Sequence, residues 1–105
     1  MAWILLFVAG VLEVVWAFSM KRSEGFTLII PSVITVAAMI ASVGLLALAM
    51  RVLPLGTAYT VWTGIGAVGA FLVGIAVLGE PAAPMRLAAG TLIVAGIVMM
   101  KMSST

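Results

Sequence analysis

Long uncharged runs alternate with short polar breaks along the whole chain. Trp3 to Met20 is apolar except for Glu13, and neither Phe26 to Met50 nor Val52 to Gly79 carries a charge. A fourth uncharged run, Leu87 to Met100, reaches membrane-spanning length when it starts near Pro84. Arg86 and Lys101 then snorkel to the two interfaces, and proline sits in the first turn, where its missing N–H is harmless. A helix that crosses the hydrocarbon core needs about 20 residues, so the pattern predicts transmembrane helices over about 3–20, 27–50, 57–79 and 84–102. The breaks Lys21–Gly25, Arg51–Gly56 and Gly79–Pro84 are short. Connections of that length make consecutive helices antiparallel neighbours. The reading is one all-α transmembrane domain over residues 1–105, without a linker or an internal repeat.

Composition strengthens this picture. Of 105 residues, 66% are hydrophobic and only 8% are charged. Mean hydropathy is +1.42. Soluble domains carry about 25% charged residues, and a small fold cannot hide this much apolar surface from water. The surplus must face lipid, which makes a multi-pass protein of the cell's inner (plasma) membrane the expectation. Met1-Ala2-Trp3 lacks the basic region of a signal peptide, so the first run reads as a retained helix. The chain has no Cys and no His, which excludes disulfides, zinc fingers and imidazole catalysis. With no nucleophile–base pair or metal cluster visible, neither an enzyme nor a cofactor is expected. The five basic residues are scattered, which is no nucleic-acid footprint. Lys21, Arg22 and Arg86 fall at one end of the predicted helices, and Arg51 and Lys101 at the other. That bias is small for fixing one orientation. It leaves open a single weakly biased insertion, or insertion both ways up with the two forms paired.

Candidate chemistry centres on Glu13, the single charge inside a predicted span. An acid at mid-bilayer costs about 2.5–3.5 kcal/mol to insert, and such residues usually mark ion or substrate pathways. The alternative role is a protonated carboxyl group holding two helices together. Residues three or four apart share a helix face, which puts Leu6, Ala9, Gly10, Trp16, Ala17 and Met20 with Glu13. Ala9 and Gly10 are expected to open space beside the carboxylate. The second helix offers a mildly polar stripe, Ser32, Thr35, Met39 and Ser42, and the third offers Tyr59 and Trp62. One carboxylate, aromatic faces and hydroxyls suit a cation. Tyr59 and Trp62 could instead anchor the third helix at the interface. Glu24 and Glu80 sit in loops and are expected to be solvated.

Gly64, Gly66 and Gly69 spell GxGxxG, but inside a membrane helix rather than after a strand, so this is no dinucleotide fingerprint. Glycines there serve close packing or a hinge. On the fourth helix, small residues such as Ala89 and Gly96 favour close helix contact, either between two copies or within one chain.

Taken together, these residues resemble the small multidrug resistance family, and its guanidinium-exporter branch in particular. The likeness runs through essentially the whole chain. It rests on Glu13-Val14-Val15-Trp16-Ala17, the loop Lys21 to Phe26, Pro54 to Tyr59, Val61 to Gly69 and Gly79-Glu80. Trp16 beside the acid, with Gly10 preceding it, resembles the guanidinium branch more than the branch that takes polyaromatic drugs. The fourth helix keeps a family-like pattern in Ala89, Leu92, Ile93 and Gly96, with alanine where glycine often occurs. The resemblance implies an antiparallel homodimer with those four residues at its contact. It implies that Glu13 of both subunits binds proton and substrate in turn, with Gly10, Trp16, Ser42, Tyr59 and Trp62 as companions. Paired acids of this kind titrate as a coupled unit. A planar guanidinium makes paired hydrogen bonds to a carboxylate and would compete with protons for the same oxygens. The expected function is proton-coupled export of guanidinium and small substituted guanidinium cations. Export of quaternary ammonium or hydrophobic drug cations is the alternative within transport. A structural membrane subunit with Glu13 as a packing residue is the alternative outside it.

Overall fold

In the computed structural model, which describes residues 1–103, the chain forms four helices, α1 (Ala2–Arg22), α2 (Ile29–Ala49), α3 (Leu55–Ala76) and α4 (Pro84–Ser103). Ser104 and Thr105, which the sequence reading places in the same domain, lie outside the described residues. All four helices are long and apolar enough to cross a membrane. The protein is a multi-pass membrane protein.

Helix ends depart from the sequence reading where backbone chemistry intervenes. α2 starts at Ile29 rather than near 27, because Ser23 organises the preceding turn. The Ser23 hydroxyl donates to the Met20 carbonyl at 2.7 Å and accepts from the Phe26 N–H at 3.0 Å. The N–H groups of Thr27 and Leu28 both turn back to the Ser23 carbonyl. α3 ends at Ala76 rather than near 79. Gly79 adopts φ +70°, a left-handed conformation that costs glycine nothing, and this lets the Glu80 N–H reach the Gly74 carbonyl at 2.9 Å. Loop acid Glu80 is not simply solvated: it lies against Gly74 and sits 3.7 Å from Arg86.

α1 is the hub. It packs against α2 on one side and α3 on the other, α2 and α3 barely touch, and the backbone of α4 approaches α3 alone. The shared core is Leu6 and Ala9 of α1, Leu46 and Ala49 of α2, and Ala58, Val61 and Trp62 of α3. The Cα frame measures 43 × 34 × 16 Å, a flattened bundle. α4 buries no residue.

Glycines let α1 and α3 approach closely. A Cβ at Gly10 would stand 2.5 and 2.7 Å from two Ile65 carbons, and one at Gly69 would overlap Val14. α3 runs as one unbroken α-helix through Gly64, Gly66 and Gly69. Without a water-driven hydrophobic effect between helices, such close van der Waals contact is a main source of association in lipid.

Gly10→Ala is therefore expected to destabilise the fold by about 1–3 kcal/mol through overpacking. Gly44 of α2 has open space around it, so Gly44→Ala should leave stability unchanged or slightly improved. Thermal unfolding of the two variants in detergent checks the contrast, and equal midpoints would contradict the packing described.

Candidate functional site

Glu13 lies in the middle of α1 and turns its carboxyl group onto Gly66 of α3. A Cβ at Gly66 would overlap that carboxyl group, so α3 contributes a notch made by the absence of a side chain. Glu13 Oε1 and, one turn further on, Trp16 Nε1 are both buried, with no hydrogen-bond partner among the described residues. Buried polar atoms in folded proteins are nearly always paired. An acceptor and a donor left without partners one helical turn apart therefore mark a place for a polar or charged visitor.

One turn before Glu13, a single hydroxyl joins three helices. Ser42 Oγ of α2 donates to the Ala9 carbonyl of α1 at 2.6 Å and accepts the Trp62 Nε1–H of α3 at 3.0 Å. Ser42 is fully buried and Trp62 nearly so. The Ala9 carbonyl already receives an intrahelical bond and uses its second lone pair here. Since α2 and α3 hardly meet otherwise, this bond fixes the tilt of the Trp62 ring relative to both neighbours. Tyr59 follows one turn earlier on α3, its ring 5.6 Å from that of Trp62 at 48°. Tyr59 is 52% exposed and carries the aromatic surface outward from the buried pair.

The other polar positions of the α2 stripe behave differently. Ser32 and Thr35 donate to the carbonyls of Leu28 and Pro31 on their own helix, at 2.5 and 2.7 Å. The Ser42 hydroxyl bonds to two other helices, which separates it from Ser32 and Thr35, which satisfy themselves locally. One expectation is corrected. Ala9 and Gly10 do not open space beside the carboxylate: Ala9 is fully buried in the core, and Ile65 fills the place next to Gly10. The room lies across the interface, at Gly66. That pairing is set by the parallel register of α1 and α3, which no local sequence pattern reports.

On α4, Ile93 and Ile97 pack onto Gly64 of α3, whereas Leu92 is 73% exposed and Gly96 faces open space. A cavity of about 780 Å³ is a shallow apolar groove between these two helices, bordered by Tyr59, Thr63, Gly64, Ile93 and Gly96. Glu13 is absent from its walls. The groove is where apolar surface is left uncovered, and the α1–α3 notch is where the unpartnered Glu13 oxygen lies.

A family model described as Small Multidrug Resistance protein matches residues 1–93. The chain is 62% identical over 104 residues to a guanidinium exporter of Escherichia coli (strain K12), covering 99% of each. It is 60% identical over 104 residues, again 99% of each, to guanidinium exporters of Citrobacter freundii and Salmonella typhimurium.

Ser42→Ala leaves both the Trp62 N–H and the second Ala9 lone pair unpaired in the interior. It is expected to cost about 1–3 kcal/mol. Thermal unfolding in detergent should show a lower midpoint, and tryptophan emission should change as the Trp62 indole loses its partner. A variant identical to the parent in both readouts would rule out the three-helix role of this hydroxyl.

Proposed function

The chain belongs to the small multidrug resistance family, and from that premise we propose that it exports guanidinium and small substituted guanidinium cations in exchange for protons at Glu13. The observation that carries this reading is the buried Glu13 Oε1 without a partner, held at mid-helix against Gly66. A proton or a guanidinium N–H each satisfies that oxygen, and the two compete for it. Trp16 Nε1, one turn away, is a donor that can hold the carboxylate or steady the bound cation, and the Tyr59–Trp62 pair offers ring faces of the kind that attract cations. The guanidinium exporters that match nearly the full chain support the choice of substrate.

The shape of the chain supports a dimer. Four helices barely enclose a pathway, and α4 keeps Ala89, Leu92 and Gly96 uncovered. Pairing two copies in opposite orientations, with Ile93 at the edge of the contact, builds the inverted symmetry on which many transporters rely. It also brings two Glu13 residues to one chamber, where they titrate together. Exchange follows if the dimer changes its open face only when those acids hold either protons or the cation. The proton gradient then drives the cation outward. Ser42 holds Trp62, and Gly66 makes room for the carboxyl group. Gly66 and Gly69 keep α1 and α3 close at the notch.

The test is proton-coupled exchange by purified protein in liposomes. Wild type should move guanidinium against protons and favour it over a bulky quaternary ammonium. Glu13→Gln should fall to the level of empty liposomes, and Glu13→Asp should remain active with a displaced pH profile. Glu13→Gln exchange at the wild-type rate would rule out the carboxyl group as the shared site. Preference for the quaternary ammonium would rule out the substrate class.

A further inference from the structure

Guanidinium is a planar ion whose polar hydrogens all donate, so a site that takes it must supply acceptors on more than one edge. A carboxylate meets one edge. A donor left unpaired on another edge, in a site without water, loses more than a good hydrogen bond returns. Most polar groups around Glu13 cannot fill that need. The indole N–H groups of Trp16 and Trp62 only donate. The Ser42 hydroxyl is fully buried and engaged on both sides, by the Ala9 carbonyl and by Trp62. Thr35 is fully buried and turned to the Pro31 carbonyl of its own helix.

α3 offers a better acceptor. Thr63 lies four residues after Tyr59 and three before Gly66, the residue that receives the Glu13 carboxyl group. At about 100° per residue, these three positions fall within about 60° of one another on the helix. Tyr59 and Thr63 are exposed and share a wall of the 780 Å³ cavity. A strip of α3 therefore runs from the open aromatic ring, past the Thr63 hydroxyl, to the carboxyl group. We propose that Thr63 is a substrate-binding residue. Its hydroxyl oxygen accepts an N–H from an edge of the guanidinium turned away from Glu13, and this contact selects guanidinium over quaternary ammonium cations. The assignment rests on the export of guanidinium at Glu13.

The surroundings single this hydroxyl out. Gly64, Ala67 and Ile93, its neighbours on the cavity wall, bring no acceptor side chain. Thr60 borders the same cavity, but it lies about 100° round the helix from Tyr59 and further from Gly66, towards the side where Ile97 of α4 packs on Gly64. Ser103, also on the cavity wall, sits at the end of α4 and donates to the Met100 carbonyl. Wherever the Thr63 hydroxyl hydrogen points, its oxygen keeps a lone pair for an incoming N–H. Selectivity follows from the same atom. A quaternary ammonium has no N–H to give, so it gains nothing from Thr63 that a valine of nearly the same shape would not supply.

Calorimetric titration of the purified protein in detergent with guanidinium chloride, at alkaline pH where few protons compete for Glu13, reads the contact without relying on transport. Wild type should bind guanidinium. Thr63→Val should bind it about tenfold more weakly, the loss of one hydrogen bond to a charged donor, and should unfold at the wild-type temperature. Thr63→Ser keeps the hydroxyl and should bind as wild type does, and so should Thr60→Val. In competition, the preference for guanidinium over tetramethylammonium should narrow in Thr63→Val by the same factor. Unchanged guanidinium binding in Thr63→Val would overturn this proposal and leave the export reading standing. So would an equal loss in Thr60→Val or Thr63→Ser. A lowered unfolding midpoint in Thr63→Val would give the hydroxyl a structural role instead and overturn the proposal as well. Wild type that binds no guanidinium would overturn the export reading and this proposal together.

Discussion

A carboxyl group inside hydrocarbon has no water to fall back on, so every partner it acquires must come from the protein or from what the protein binds. That constraint organises this molecule. Glu13 sits on α1, which α2 and α3 flank, so its surroundings are built by α1, α2 and α3 together. The side facing α3 is emptied of side chain at Gly66, and the turn before it is locked by Ser42, Trp62 and the Ala9 carbonyl. The result is a rigid frame around an oxygen left without a partner. Rigidity and incompleteness serve each other here. A frame that could relax would swing a neighbouring hydroxyl onto the carboxyl group and close the site.

The same logic sorts the remaining polar side chains. Ser32, Thr35 and Thr91 each donate to a carbonyl one turn earlier on their own helix, which satisfies them in lipid without committing them to a neighbour. Charged groups at the helix ends lie over aromatic rings of the bundle, as Arg22 does over Phe18 and Arg86 over Phe71. These contacts hold long side chains at the interface while their charges reach headgroups and water. Only around Glu13 and Trp16 is a buried polar atom left unpaired among the described residues, and there the omission is systematic, with one acceptor and one donor a turn apart.

How much of this was legible in the sequence depends on whether a feature is local. The four membrane-length helices follow from uncharged runs, since hydrocarbon thickness sets a length that composition must meet. Their ends shift where one residue's backbone decides, as with Gly79 in the left-handed region and Phe26 at φ 67° in the turn organised by Ser23. Glu13, Ser42, Tyr59 and Trp62 stand out because each is a polar or aromatic exception in an apolar helix. Their partners do not. Gly66 becomes the neighbour of Glu13 through the parallel alignment of two helices separated by a third, and the Ala9 carbonyl resembles every other carbonyl in α1 until Ser42 reaches it. Ile65 filling the place beside Gly10 was hidden for the same reason.

Charge at the two ends connects the fold to its insertion. The end that joins α1 to α2 and α3 to α4 carries three basic residues, Lys21, Arg22 and Arg86, but also both loop acids. Arg86 there is held beside Glu80. The other end has two basic residues and no acidic side chain. Orientation in membranes follows the count of basic residues more than net charge. By count the first end is the cytoplasmic one, by a single residue, and by net charge the order reverses. A chain so balanced has little electrostatic reason to prefer one way up, which is the condition that pairing of oppositely inserted copies requires.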